Sequence, residues 1–211
     1  MCIRDRNNAP KISSKKIINC TNIVGLAGVE QITEAINTKA DIIICGRSTD
    51  ASLIASLPIM KGVDEAIAWH AGKIGECGAF CTTNPRSGVI LISFQKNGFF
   101  IKPVSNNTKV TPYTVSAHMV YENSNPFTLI EPGGHLDVKN AIYEKQKDGS
   151  VYVTGANWVK DNNYKIKLEG TYVEGYQSIS IVLIRDETYV KSIKKWSKQV
   201  ENKVKKIVEN S

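Results

Sequence analysis

The sequence predicts an α/β fold: a mainly parallel open sheet with helices in the first half, followed by an α+β half with antiparallel strands and a C-terminal amphipathic helix. Three observations lead there. Up to Pro85, helix-period segments alternate with uninterrupted apolar runs, the texture of strands buried on both faces. After Pro85, short apolar runs are joined by "QKNG" and "KDGS", which read as hairpin turns. From Ile193 onward apolar residues step by three or four among lysines, one stripe of a helix.

Taken in order, "MCIRDR" lacks the apolar core of a signal peptide and leads into no element, so residues 1–14 read as a non-native or disordered lead. Ile17 to Asn19 is a short candidate strand. Gly25 to Asn37 reads as a helix, with Leu26, Val29, Ile32 and Ile36 on one face. Asp41 to Cys45 reads as a central buried strand, Asp50 to Met60 as a helix, and Val63 to about Cys81 as another. Residues 15–85 thus form an α/β portion, the end of a larger sheet domain, and 86–211 an α+β portion. In the second portion Val89–Phe94 and Phe99–Lys102 form one hairpin, Ala141–Lys145 and Val151–Thr154 another. In the latter, Asp148-Gly149 supplies the positive φ of a tight turn. A short helix follows Pro112, spanning Tyr113 to Tyr121. Tyr164–Glu169 and Tyr172–Leu183 read as strands before the final helix.

Composition narrows the class. Of 211 residues, 42% are apolar and 22% charged, enough for a core and ordinary for a soluble protein. No apolar run approaches the roughly 18 residues of a membrane span, so no membrane partner is expected. Five cysteines, Cys2, Cys20, Cys45, Cys77 and Cys81, follow no disulfide or metal pattern, which suits reduced thiols and a cytoplasmic location. The net charge is +7, and seven lysines against two glutamates from Tyr189 onward supply +5 of it. That concentration marks the solvent face of one helix, with Ile193, Trp196, Val200 and Val204 expected to pack inward, and no nucleic-acid partner is expected.

Three polar clusters carry candidate chemistry. The first is "IIICGRSTDASLI", where an apolar strand runs into a helix through Gly46, Arg47, Ser48, Thr49 and Asp50. Ligands of open α/β sheets bind beyond strand C-termini, where a helix start offers free N–H groups and partial positive charge. Gly46 permits the turn, Arg47 can grip a carboxylate or phosphate with two hydrogen bonds, and Ser48 and Thr49 can donate to the same anion. Asp50 can cap the helix, orient Arg47 or act as a base. The plain alternative is that one of these residues caps the helix and Arg47 pairs with a nearby acid.

The second cluster, "AWHAGKIGECGAFC", puts His70, Lys73 and Cys77 on one helix face with Glu76 at its edge, an acid/base set or an ion-paired rim. Its glycines, Gly72, Gly75 and Gly78, weaken a helix and make sense where a backbone or ligand comes close. The third runs from Thr111 to Asp137 and holds Tyr113, Ser116, His118, Glu122, Asn123, Glu131 and His135, with "EPGG" as a turn that brings Glu131 close to something. Its spacing matches no metal-ligand pattern, so no metal is expected.

These stretches also carry a family resemblance. "ADIIICGRSTDASL", "WHAGKIGECGA", "TPYTVSAHMVYENSNPF" with "EPGGHLD", and "YKIKLEGTYVEGYQSISIVLIRD" resemble the acyclic terpene utilisation AtuA family, in the family's order, from about Val24 onward. The resemblance implies a metabolic setting, the degradation of branched terpenoids as coenzyme A thioesters, and not a particular reaction. It further implies that longer members carry an additional N-terminal α/β portion, so that this chain is a fragment covering the later part. A small partner domain accompanies some members.

The expected function is a metabolic enzyme or catalytic-complex subunit acting on a small organic acid or its acyl-CoA thioester, by hydratase- or lyase-type proton transfer. His118 or His70 moves the proton, with Glu76 or Glu131 assisting, and Gly46 to Asp50 hold the anion. No cofactor is expected beyond coenzyme A as part of the substrate. Expected partners are that small molecule and either a small partner domain or a second copy of the chain. A noncatalytic ligand-binding or scaffolding subunit is the alternative. No nicotinamide fingerprint, phosphate-loop lysine motif or serine elbow is present, so redox, kinase and esterase chemistry fall away.

Overall fold

The computed structural model describes residues 13–86, 88–121, 123 and 125–209. The described elements run α1 (Ser14–Ile18), β1 (Asn22–Gly25), α2 (Val29–Asn37), α3 (Asp50–Met60), α4 (Glu65–Gly75), a 3-10 turn (Gly78–Cys81), β2 (Ile90–Gln95) and β3 (Gly98–Pro103). Then come α5 (Pro112–His118), β4 (Thr128–Glu131), β5 (Gly134–Asp137), β6 (Ile142–Lys145), β7 (Val151–Thr154), β8 (Asn157–Lys160), β9 (Leu168–Thr171), α6 (Glu187–Lys191) and α7 (Ile193–Glu209). The chain divides into two compact units, one ending at Val173 and one beginning at Glu174.

The first unit is mixed α and β, and its sheets are antiparallel. β2-β3-β7-β6 form a four-stranded sheet, β4-β5-β8 a three-stranded one, and β1-β9 a two-stranded ribbon. The expected mainly parallel sheet is therefore corrected: the one parallel contact among the described residues is a single bridge between Ala27 and Ser48. Asp41 to Cys45 forms no strand, and Ile42 and Ile44 are exposed. An apolar run becomes a buried strand only when neighbours satisfy its backbone groups and cover its side chains, and no described strand pairs with this one. Ile17 to Asn19, expected as a strand, lies in and after α1, which Ser13 caps by accepting from Lys16 N–H. Of the two late strands expected, Tyr164–Glu169 forms only at its end, as part of Leu168–Thr171, and Tyr172–Leu183 forms none.

The hairpins follow local turn chemistry. Gln95 pairs with Gly98 across a two-residue turn. Lys145 pairs with Val151, and Gly149 takes φ +82° in the turn between them. The three-stranded sheet was not foreseen: "EPGG" closes its first hairpin, with Glu131 opposite Gly134 and Gly133 at φ +77°.

The core lies where α3 and α4 meet the sheets. Ala51, Ser52, Ala55 and Ser56 give α3 a fully buried face of small side chains. Opposite stand Ala68, Ala71 and Gly72 of α4, also buried. A Cβ on Gly72 would lie 2.5 Å from the Ala51 carbonyl oxygen, so this glycine lets two helix backbones touch. Trp69, Ile74, Phe99, Ile101, Val151 and Val153 complete one continuous apolar cluster across the expected boundary at residue 85. Trp69 stacks on Trp158, with ring centroids 4.9 Å apart.

In the second unit, α6 and α7 follow an apolar stretch that forms no strand; Ile179, Ile181 and Leu183 are exposed. The lysine face of α7 is exposed as expected. The inward packing of its apolar stripe is not found: Val200 and Val204 are 39% and 51% exposed. A stripe of this kind is buried only when another apolar surface meets it.

Candidate functional site

Helix α4 carries the central residue of the site, Lys73. Asp64 caps that helix by accepting from the N–H groups of Ala66 and Ile67. Lys73 Nζ lies 2.8 Å from Glu76 Oε1, one helical turn on, and 3.3 Å from Glu131 Oε1 at the end of β4. The "EPGG" turn makes the second contact. Gly133 N–H donates to the Lys165 carbonyl, and its tight backbone packs against the Tyr164 ring, so the hairpin end carrying Glu131 is held from outside. Tyr164 is anchored in turn, its hydroxyl donating to Glu30 at 2.8 Å.

The cluster is enclosed: the Lys73 and Glu131 side chains are 11% and 4% exposed. Burial pushes the Glu131 carboxyl up; the Lys73 charge opposes this, the Glu76 charge adds to it, and the Thr49 hydroxyl works against it, with a net rise. Burial likewise raises Glu76 against the pull of Lys73, and the charge of Asp50 adds to the rise. Burial alone would lower Lys73, but the charges of Glu131 and then Glu76 outweigh it and the ammonium is raised. Glu76 also accepts from the Ala51 backbone N–H. The start of α3, expected to receive a ligand anion, thus already meets one internal carboxylate.

His118, the last residue of α5, joins this cluster. It is buried, and burial lowers its pKa; a hydrogen bond to the Lys73 backbone opposes that, and the Lys73 charge reinforces it. The imidazole is therefore neutral at neutral pH. Its Nδ1 has no hydrogen-bond partner among the described residues. Its ring stacks on Tyr121 at 5.9 Å.

The structure brings Thr49, Asp50, Glu76, His118 and Glu131 together around Lys73. His70 is elsewhere. It is fully enclosed on α4, edge-on to Phe99 and Tyr143, with Nε2 3.2 Å from the Tyr143 hydroxyl. Burial brings its pKa down to about 3 and pushes Tyr143 up to about 12. The strand-tip turn divides between the two settings. Gly46 and Arg47 are exposed, and Arg47 Nη2 and Nε lie 2.8 and 2.9 Å from Glu169 Oε2 on β9. Ser48 is buried in the bridge to Ala27, and Thr49 is the N-cap of α3.

Among the remaining candidates, Tyr113 is exposed and Ser116 donates to its carbonyl. Asn123 caps the end of α5 by donating to the carbonyls of Met119 and Tyr121. His135 sits half-buried on β5, paired in register with Ile130 and Val159, and Cys77 is half-buried. Glu122 lies outside the described residues. Among the described residues, no group of three or more His, Cys, Asp or Glu is placed to hold a metal ion, and no helix is long and apolar enough to cross a membrane.

Spacing along the sequence places Lys73 on the right helix face, and nothing local marks it as the centre. The signal was its i, i+3 spacing to Glu76. Two partners went unforeseen, Glu169 for Arg47 and Tyr143 for His70, because each comes from a distant strand.

No curated protein and no solved structure matches the chain. A family model described as acyclic terpene utilisation family protein AtuA matches residues 5–211, and the chain therefore belongs to that family.

Proposed function

We propose that this protein is a metabolic enzyme, or the catalytic subunit of a complex, that moves a proton on a small organic acid or its acyl-CoA thioester, as a hydratase or lyase does. The observation that carries this reading is the buried set of Lys73 between Glu76 and Glu131, beside a buried His118. His118 takes the proton next to the substrate carbonyl, since a neutral imidazole is a base at neutral pH. Glu131, whose pKa burial raises, is protonated in this reading and gives its own proton to the leaving hydroxyl, which departs as water, while the abstracted proton stays on His118. Lys73 and Glu76 set the charge that Glu131 meets, which is the pairing of environments that acid–base sites use. Arg47, at the exposed end of the 46–50 turn, receives an anionic group of the substrate remote from the reacting carbonyl. The exposed Arg47–Glu169 pair yields to a ligand carboxylate at little cost, because such pairs are worth about 0–1 kcal/mol. Coenzyme A enters as part of the substrate, and no other cofactor is required.

The test is deuterium incorporation next to the carbonyl of a panel of hydroxy acids and their coenzyme A thioesters, followed by NMR in heavy water. The parent protein exchanges at least one of them, and His118→Gln and Glu131→Gln abolish that exchange. Exchange that persists in both variants overturns the assignment.

The second reading is a noncatalytic ligand-binding or scaffolding subunit. It is favoured by the internal pairing of Arg47 and Lys73, which leaves both cations already satisfied. Calorimetric binding of the panel without any exchange selects it.

A further inference from the structure

Three rings run outward from the candidate site. His118, 6% exposed, stacks on Tyr121 at 5.9 Å and 17° between planes. Tyr121, 42% exposed, stacks on Phe80 at 5.1 Å and 29°. Phe80, in the 3-10 turn after Glu76, is 51% exposed. The ladder therefore leads from a buried imidazole to the surface, held by the packing of α5 on that turn.

We propose that the Phe80–Tyr121 stack is the wall along which the apolar acyl portion of the ligand lies, with its polar end at His118 and the Lys73 cluster. This rests on the reading of that cluster as a substrate site. Small-molecule sites combine apolar and aromatic walls with a few convergent polar groups, and both parts are present here in direct contact. Neither ring of the wall carries a charge, and the cation at its inner end, Lys73, is already held by two carboxylates, so a phosphate finds no ready partner along the wall. Tyr121 and Phe80 stay 42% and 51% exposed, and an uncharged aromatic surface suits an aliphatic chain.

The experiment is calorimetric titration of the full chain with straight-chain acids from butanoate to decanoate. Affinity rises about twofold per added methylene, half the free energy of full burial because the wall covers one side. Phe80→Ala flattens that slope, and Phe80→Leu, which keeps an apolar contact, restores most of it. An unchanged slope in Phe80→Ala overturns the wall. Butanoate affinity that ignores both His118→Gln and Glu131→Gln overturns the cluster as the polar end, while the slope reads the wall separately. A parent protein that binds none of these acids overturns both.

Discussion

Two polar sets of nearly the same chemistry stand in different solvents in this molecule. Around α4, Lys73, Glu76 and Glu131 pair largely out of water, and all three have raised pKa values. After the 42–45 stretch, Arg47 pairs with Glu169 in the open. Glu169 is lowered there, first by its hydrogen bond to Lys167 and only then with help from Arg47. The difference is desolvation. Water screens the exposed pair and makes either partner replaceable. Burial removes that screening, so each charge in the inner set depends on the others, and protons become the adjustable quantity. Perturbed titration in an enclosed cluster is what acid–base chemistry needs.

The largest expected effect comes from breaking the inner set. Lys73→Met leaves two carboxylates buried without a counter-charge and destabilises the fold by about 3–5 kcal/mol at neutral pH. The loss shrinks in acid. The folded pKa values of Glu76 and Glu131 lie above the ordinary 4.5, so the folded state keeps protons that the unfolded chain has released. What these groups contribute is fully present below that value and is lost as pH rises through their raised pKa values. Urea unfolding near neutrality and in mild acid measures this; a variant as stable as its parent at both would place the cluster in water.

The second effect concerns His70. Its folded pKa of about 3 lies below the ordinary 6.5, so its contribution is present above 6.5 and is lost as pH falls toward 3. Between neutrality and about pH 4 the parent loses about 3 kcal/mol through this residue alone. His70→Phe removes that part of the acid slope, whatever it does to stability at neutral pH. Equal slopes in parent and variant would mean that the imidazole is hydrated.

Arg47→Lys is expected to change stability by less than about 1 kcal/mol, because the pair is exposed and Lys167 still holds Glu169. Thermal unfolding measures it, and a variant that fails to fold would show that this pair belongs with the buried set.

The smallest effect lies on α7. Replacing Lys194 and Lys195 by Gln leaves the unfolding midpoint where it was, since ordinary surface changes matter little. DNA binding with a steep salt slope, lost in that double variant, would give the lysine face a role.

Some of this was legible at the level of residues. The spacing from Asp50 to Met60 predicts a helix, and one forms there. Both hairpins around "QKNG" and "KDGS" form with the expected turns. The i, i+3 contact of Lys73 with Glu76 follows from spacing on one helix. Such features are determined by interactions within a few residues, so sequence alone settles them. The tertiary structure decided the rest. Ile42 to Cys45 had the composition of a central strand, but a strand exists through its neighbours, and no described strand pairs with it. Arg47 had the position of an anion clamp, but β9 brought Glu169 to it. Glu131 came to Lys73 only through the β4–β5 hairpin, and the burial that raises its pKa belongs to no single segment. Pairing across distant segments and exclusion of water are properties of the assembled chain, and a local pattern carries neither.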